Sequence, residues 1–136
     1  MKFIILITLL FVHNVLSKLV VPDNIKKSWF DLSEPHFTEC ACITGVSLTR
    51  ANRFFTKSEL PDDPRLKCFF KCLVIKLSIL NEATNEWDET EIINKVAGVT
   101  PFIYSNCNNS TDKIKDLYER VFQMTMCLVL QISVPV

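Results

Sequence analysis

The sequence has little glycine and no excess of charge of either sign. Gly45 and Gly98 are its only glycines in 136 residues. A glycine-rich loop that binds phosphate through backbone N–H groups is therefore excluded. The 15 lysines and arginines balance 15 acidic residues, so the basic patch typical of nucleic-acid-binding proteins is not expected. Because 49% of the residues are hydrophobic and the net charge is zero, a disordered chain is excluded as well.

The N-terminal segment has the layout of a secretory signal. Met1 and Lys2 precede an almost unbroken apolar run over residues 3–12, and residues 15–17 are acceptable at a cleavage site. A membrane anchor is the alternative, but this run is shorter than the roughly 20 residues that span a bilayer. The polar pair His13-Asn14 also interrupts it. We predict a cleaved signal peptide over residues 1–17 and one secreted, extracellular domain over residues 18–136.

All six cysteines lie in the predicted mature domain. In an oxidising compartment, cysteines form disulfides rather than metal sites. The spacings Cys40-x-Cys42 and Cys68-x3-Cys72 also lack the paired C-x2-C pattern of common zinc modules. We therefore expect disulfides, no metal and no cofactor.

The mature chain is predicted to be all-α, because alternating strand patterns are rare and Asn-Gly and Asp-Gly hairpin turns are absent. The tail over residues 131–136 is uncharged and mostly apolar, and it either folds back over the mouth of a pocket or is frayed. The helical stretches are predicted from capping residues, prolines and apolar periodicity. They begin near Asp23 (broken or kinked at Pro35), after Ser47, at Asp63-Pro64 (reaching Leu80), after Asp88 (ending at Gly98) and near Ser110 or Thr111 (ending near Leu130).

The stretch over residues 64–80 is apolar on two sides. At about 100° per residue, six large side chains fall within one arc, and a second arc on the far side carries two cysteines and two isoleucines. A helix of this kind is normally buried between neighbours. Its larger arc faces either a solid core or a cavity. The first arc contains Leu66, Phe69, Phe70, Leu73, Leu77 and Leu80, and the second contains Cys68, Cys72, Ile75 and Ile79.

Four segments together give the chain a family resemblance. Residues 40–47 read CACITGVS, residues 66–73 read LKCFFKCL, residues 87–91 read WDETE, and residues 118–124 read YERVFQM. With Cys107 and Cys127, this order resembles the insect odorant- and pheromone-binding proteins over essentially the whole mature chain. The resemblance implies a compact, disulfide-stapled bundle of about six helices around an internal hydrophobic cavity. It also implies a secreted, non-enzymatic carrier of small hydrophobic ligands.

The cysteine pattern departs from that family at two points. Tyr118 occupies the position of the family's fifth cysteine, nine residues before Cys127, and Cys42 is an additional cysteine. The resemblance implies the disulfides Cys40–Cys72 and Cys107–Cys127, which leaves Cys68 without its usual partner. We hypothesise that Cys42 takes that place. If residues 40–42 are helical, their side chains diverge by about 200° and this bridge fails.

Eleven side chains are candidates to line the cavity, although each of them could equally belong to an ordinary core. Tyr118 has two alternatives: its hydroxyl bonds a polar head group of the ligand, or its ring packs against another helix. The candidates are Phe54, Phe69, Phe70, Leu73, Leu77, Ile93, Val96, Tyr118, Val121, Phe122 and Thr125.

Two other functional classes remain as alternatives. A secreted phospholipase needs a His–Asp pair beside a helical cysteine and a glycine-rich calcium loop, whereas His36 lies in no such motif. A helical signalling or venom component that acts on a receptor would need a solid core and an exposed patch. The carrier hypothesis implies a small hydrophobic ligand, a membrane chemoreceptor as a further partner, no nucleic acid, and a monomer or weak homodimer. The overlapping triplets at Asn108 and Asn109 are glycosylation acceptors in a predicted loop.

Overall fold

Six α-helices form the domain, as the computed structural model shows for residues 18–136. The predicted all-α bundle of about six helices is confirmed, whereas the predicted signal peptide lies outside the described residues. Within residues 18–136, no helix is long and apolar enough to cross a membrane. The elements are β1 (Leu19–Val20), α1 (Asp23–Thr44), α2 (Leu48–Lys57), α3 (Pro64–Lys76), β2 (Leu80–Asn81), β3 (Glu86–Trp87), α4 (Glu89–Lys95), α5 (Pro101–Thr111), α6 (Leu117–Ile132) and β4 (Val134–Pro135).

Three helix starts follow directly from the predicted caps. Side-chain oxygens of Ser47, Asp63 and Asp88 accept hydrogen bonds from backbone N–H groups two or three residues later. These bonds satisfy donors that have no partner within the first helical turn. At α3 the following Pro64 stabilises the start further, because its fixed φ suits the first helical position.

Pro35 does not break the first helix, so the first of the two predicted effects, a break or a kink, is wrong. α1 runs without interruption from Asp23 to Thr44 and ends at Gly45, whose φ of 71° is left-handed. A proline inside a helix removes one backbone hydrogen bond and crowds the preceding turn. α1 tolerates this because it packs against α2 and α3 along its length. Tertiary packing therefore outweighs the local cost.

Two other helix boundaries also differ from the predictions. α3 ends at Lys76 rather than Leu80, since Ser78 has a φ of 58° that is incompatible with a continuing helix. The last helix, α6, begins at Leu117 rather than near residue 110, and a separate helix that was not predicted, α5, precedes it. α5 begins at Pro101 with Thr100 as its cap. That pair is the same signal as Asp63-Pro64, and the prediction overlooked it.

Short strands join the two ends of the described chain. β1 and β4 pair antiparallel, with Leu19 opposite Pro135 and Val20 opposite Val134. The backbone N–H of Val136 also donates to the Lys18 carbonyl at 3.1 Å. The C-terminal tail is therefore held in place rather than frayed.

Two disulfides connect the helices. Cys40–Cys72 joins α1 to α3, and Cys107–Cys127 joins α5 to α6. These are the pairs that the family resemblance implies. The hypothesised third bridge is not formed: Cys42 is an exposed free thiol and Cys68 a half-buried one. Because residues 40–42 are helical, Cys42 emerges on a different side of α1 from the bridged Cys40.

The core is rich in aromatic rings. Phe54 lies at the centre, with its ring centroid 4.7 Å from that of Phe70 and 4.9 Å from that of Phe55, both in edge-to-face geometry. Such pairs add to the stabilisation from buried area. This cluster joins α1, α2 and α3 and forms one wall of the interior. Its members are Trp29, Phe30, Phe37, Phe54, Phe55, Phe69 and Phe70.

Candidate ligand-binding site

A cavity of about 90 Å³ lies between the aromatic cluster and α6. Its wall contains no Asp, Glu, Lys, Arg or His side chain. Apart from one serine, one threonine and the N–H groups of two tryptophans, the lining side chains are apolar. The lining residues are Trp29, Leu32, Ser33, Phe54, Phe55, Phe70, Leu73, Val74, Leu77, Ile79, Trp87, Ile92, Val96, Met124, Thr125, Leu128 and Val129.

Helical periodicity brings the α3 side chains to the cavity together. Phe70, Leu73, Val74 and Leu77 follow the spacing of three and four residues that places side chains on one face of a helix. The larger apolar arc predicted for this helix therefore borders both a cavity and a solid core. Phe70, Leu73 and Leu77 line the cavity. The other members of the arc, Leu66, Phe69 and Leu80, are buried in the solid core.

Of the eleven predicted residues, the structure brings six together around the cavity: Phe54, Phe70, Leu73, Leu77, Val96 and Thr125. The remaining five lie elsewhere. Phe69, Val121 and Phe122 are almost completely buried in the solid core, and Ile93 packs against that core from α4. Tyr118 is 42% exposed and also lies outside the cavity wall.

Tyr118 takes the packing alternative. The Lys71 Nζ atom lies 4.4 Å from the centroid of its ring, which is the geometry of a cation–π contact between α3 and α6. Lys71 is one turn away from the unpaired Cys68. The Tyr118 ring therefore connects α6 to α3 through Lys71, at the position where the family's fifth cysteine is missing.

Lys67 forms a second connection between these helices. Its Nζ atom lies 2.5 Å from carboxylate oxygens of both Asp62 and Glu119 and 5.1 Å from the centroid of the Phe122 ring. The two carboxylates raise the pKa of Lys67. The pKa of Glu119 is lowered, first by a hydrogen bond from Gln123 and then by the one from Lys67. Ionic contacts thus hold α6 against α3 beside the cavity.

Eleven residues of the cavity wall were not predicted from the sequence. α1 contributes Trp29, Leu32 and Ser33 at a spacing of three and four residues, a periodicity that the sequence does contain. Ile79 and Trp87 reach the wall only because β2 and β3 form a hairpin. Since such pairing is a tertiary property, no local signal identifies those two. The others are Phe55, Val74, Ile92, Met124, Leu128 and Val129.

Two of the four polar side chains of the wall donate hydrogen bonds to backbone carbonyls. The Trp29 Nε1–H donates to the Ala97 carbonyl at 2.9 Å, and the Thr125 hydroxyl donates to the Val121 carbonyl at 2.8 Å. His36 does not line the cavity. Among residues 18–136, no three His, Cys, Asp or Glu side chains are placed to hold a metal ion. The chemistry that this wall offers is burial of an uncharged apolar molecule.

The glycosylation triplets lie in a helix rather than in the predicted loop. Asn108 and Asn109 belong to the last turns of α5, because the pair Thr100-Pro101 starts a helix there. Thr111, the third residue of the second triplet, is buried and donates its hydroxyl hydrogen to the Cys107 carbonyl at 2.7 Å.

A comparison with models of protein families matches the PBP/GOBP family over residues 26–131. This range includes both disulfides and every residue of the cavity wall. Neither the curated proteins nor the solved structures contain a match to the chain.

Proposed function

The chain belongs to the PBP/GOBP family of insect pheromone- and odorant-binding proteins, and from that premise we propose that it carries small hydrophobic ligands in its internal cavity. Members of the family are secreted, non-enzymatic binding proteins. We further propose that this chain transports its ligand through extracellular fluid as a monomer or weak homodimer and delivers it to a membrane chemoreceptor.

The observation that supports this proposal is the uncharged, apolar wall of the cavity. An apolar ligand that enters it gains about 25 cal/mol for each Å² of apolar surface removed from water. The alternative of a signalling component that acts through its surface requires a solid core. A cavity lined from α1, α2, α3, α4 and α6 favours the carrier.

The size of the cavity limits how a ligand enters. Its volume of about 90 Å³ is smaller than the roughly 150 Å³ of an engineered apolar cavity that binds benzene. A chain of eight carbons therefore requires wall side chains to move. Met124 is suited to this, because methionine has three rotatable bonds and adapts to irregular spaces.

The experiment is displacement of an apolar fluorescent probe, such as N-phenylnaphthylamine, from the disulfide-bonded mature protein by a homologous series of methyl ketones. Each added CH2 should tighten binding by about 0.8 kcal/mol, or roughly fourfold, until the expanded cavity is full. Beyond that length the affinity should level off. A protein that takes up neither the probe nor any ketone at micromolar concentration would exclude the carrier function.

A fatty acid of the same length is the matched control ligand. At neutral pH its carboxylate would have to leave water for a wall that has no cation, which is costly. We expect the carboxylate to bind more weakly than the ketone. Equal binding of both would indicate that ligands are held at the surface.

A further inference from the structure

The two tryptophans of the cavity wall differ in one respect. The Trp29 Nε1–H has a protein acceptor, the Ala97 carbonyl at 2.9 Å. The Trp87 Nε1 atom is buried, and nothing within residues 18–136 accepts its hydrogen bond. A buried donor without an acceptor is rare in native proteins and costs free energy, so it needs an explanation.

The structure fixes Trp87 where it is. Trp87 pairs with Leu80 across the β2–β3 hairpin. The backbone N–H of the next residue, Asp88, donates to the Ile79 carbonyl at 2.9 Å. The hairpin is held in turn by the Arg120 guanidinium, which donates to the Asn85 carbonyl. The indole is therefore part of a connected framework, and its N–H is placed before any ligand arrives.

None of the other polar side chains of the wall, which are Trp29, Ser33 and Thr125, accepts this hydrogen bond. The Thr125 hydroxyl donates to the Val121 carbonyl, and Trp29 has only a donor, which is already used. Arg120 Nε is the other buried donor without an acceptor in the described chain, but Arg120 does not line the cavity. Trp87 thus combines a place in the cavity wall with a buried donor that has no acceptor within residues 18–136.

We propose that Trp87 Nε1–H donates a hydrogen bond to an oxygen atom of the bound ligand. This inference rests on the proposed carrier function and narrows its ligand class. The ligand is an uncharged apolar molecule with one acceptor oxygen, such as a ketone, ester, aldehyde or alcohol, rather than a hydrocarbon. Trp87 then makes the polar contact with the ligand that one of the two alternatives for Tyr118 assigned to the tyrosine hydroxyl.

The test compares two ligands of the same shape in two proteins. Methyl hexyl ketone and the alkene in which a CH2 group replaces its carbonyl oxygen differ only in the acceptor. Affinities of both are measured for the wild-type mature protein and for Trp87→Phe, which removes the donor and keeps an aromatic ring. The ratio of ketone to alkene affinity should fall about five- to tenfold in the variant, as expected for one hydrogen bond.

Trp29→Phe is the matched control variant. It removes the same kind of N–H from a ring whose donor is already used, so any change in affinity should apply equally to both ligands. An unchanged ketone-to-alkene ratio in Trp87→Phe, with both ligands still bound, would overturn the role of Trp87 and leave the carrier function standing. If the wild-type protein bound neither the ketone nor the alkene, the carrier function would instead be overturned.

A second measurement needs no variant. The chain has two tryptophans, so a 15N-labelled protein gives two indole N–H signals. Addition of the ketone should move the Trp87 indole proton signal downfield, and addition of the alkene should not. The Trp29 proton stays hydrogen-bonded to the Ala97 carbonyl, so its signal should not show this difference between the two ligands. A Trp87 signal that responds identically to the two ligands would refute the hydrogen bond.

Discussion

Leu66 and Leu73 offer a direct test of whether the interior is a binding cavity. Both lie on α3, two turns apart and on the same face, and both are at most 3% exposed. Leu73 borders the cavity and Leu66 does not. Replacing each leucine in turn by alanine therefore makes the same chemical change in two environments.

The expected costs differ because Leu73 already faces a void. Leu→Ala substitutions in a packed core cost about 2.7–5 kcal/mol, and the cost rises by about 24 cal/mol per Å³ of cavity. On that scale the existing 90 Å³ already costs the unliganded protein about 2 kcal/mol. Leu73 has fewer contacts to lose. We expect Leu66→Ala to cost about 4–5 kcal/mol and Leu73→Ala about 2.5–3 kcal/mol.

The assay is urea unfolding of both variants and the wild type, without ligand and then with a saturating methyl ketone. Comparable m-values would show that unfolding exposes similar surface in each protein. Leu73→Ala should also bind longer ketones than the wild type does, whereas Leu66→Ala should keep the wild-type preference. Equal costs at the two positions, together with an unchanged length preference in Leu73→Ala, would refute the assignment of the cavity.

Three further predictions concern stability. Replacing the Cys107–Cys127 pair by serines frees a loop with a sequence separation of 20 and should cost about 3 kcal/mol in non-reducing urea unfolding. The pKa of Glu119 is lowered from 4.5 in the fold, so its stabilisation is present above that value and lost as the pH falls through the lowered pKa. Between about pH 6 and about pH 3, the loss of stability in urea unfolding should therefore be smaller for Glu119→Gln than for the wild type. The other carboxylates are the same in both proteins and contribute equally to the loss. Gly45→Ala, at a φ of 71° with open space around it, should cost about 1 kcal/mol, and Gly98→Ala should cost visibly more in the same assay, because its Cβ would lie 3.0 Å from a side chain.

Local signals predicted the helix starts well. Asp63 and Asp88 cap their helices as expected, because a cap depends only on residues within one turn of it. The helix through Pro35 was not predictable in this way. Its continuity depends on packing against α2 and α3, which is a property of the assembled bundle.

The candidate site was predictable where one helix carries it. Phe70, Leu73 and Leu77 follow from the periodicity of α3. Trp87 could not be found, because its place in the wall depends on a hairpin of two-residue strands with no turn signal of the Asn-Gly or Asp-Gly kind. The role of Tyr118 depends on a contact with Lys71 on another helix, which a single helical wheel does not contain.

The pairing of β1 with β4 has a consequence for engineering. It brings residues 18 and 136 next to each other, with a hydrogen bond between their backbones. A short linker could therefore join them, and new ends could be opened at the exposed turn over residues 82–85. Such a circular permutant would keep both disulfides. Reporter domains fused to its new ends would lie beside the hairpin that carries Trp87.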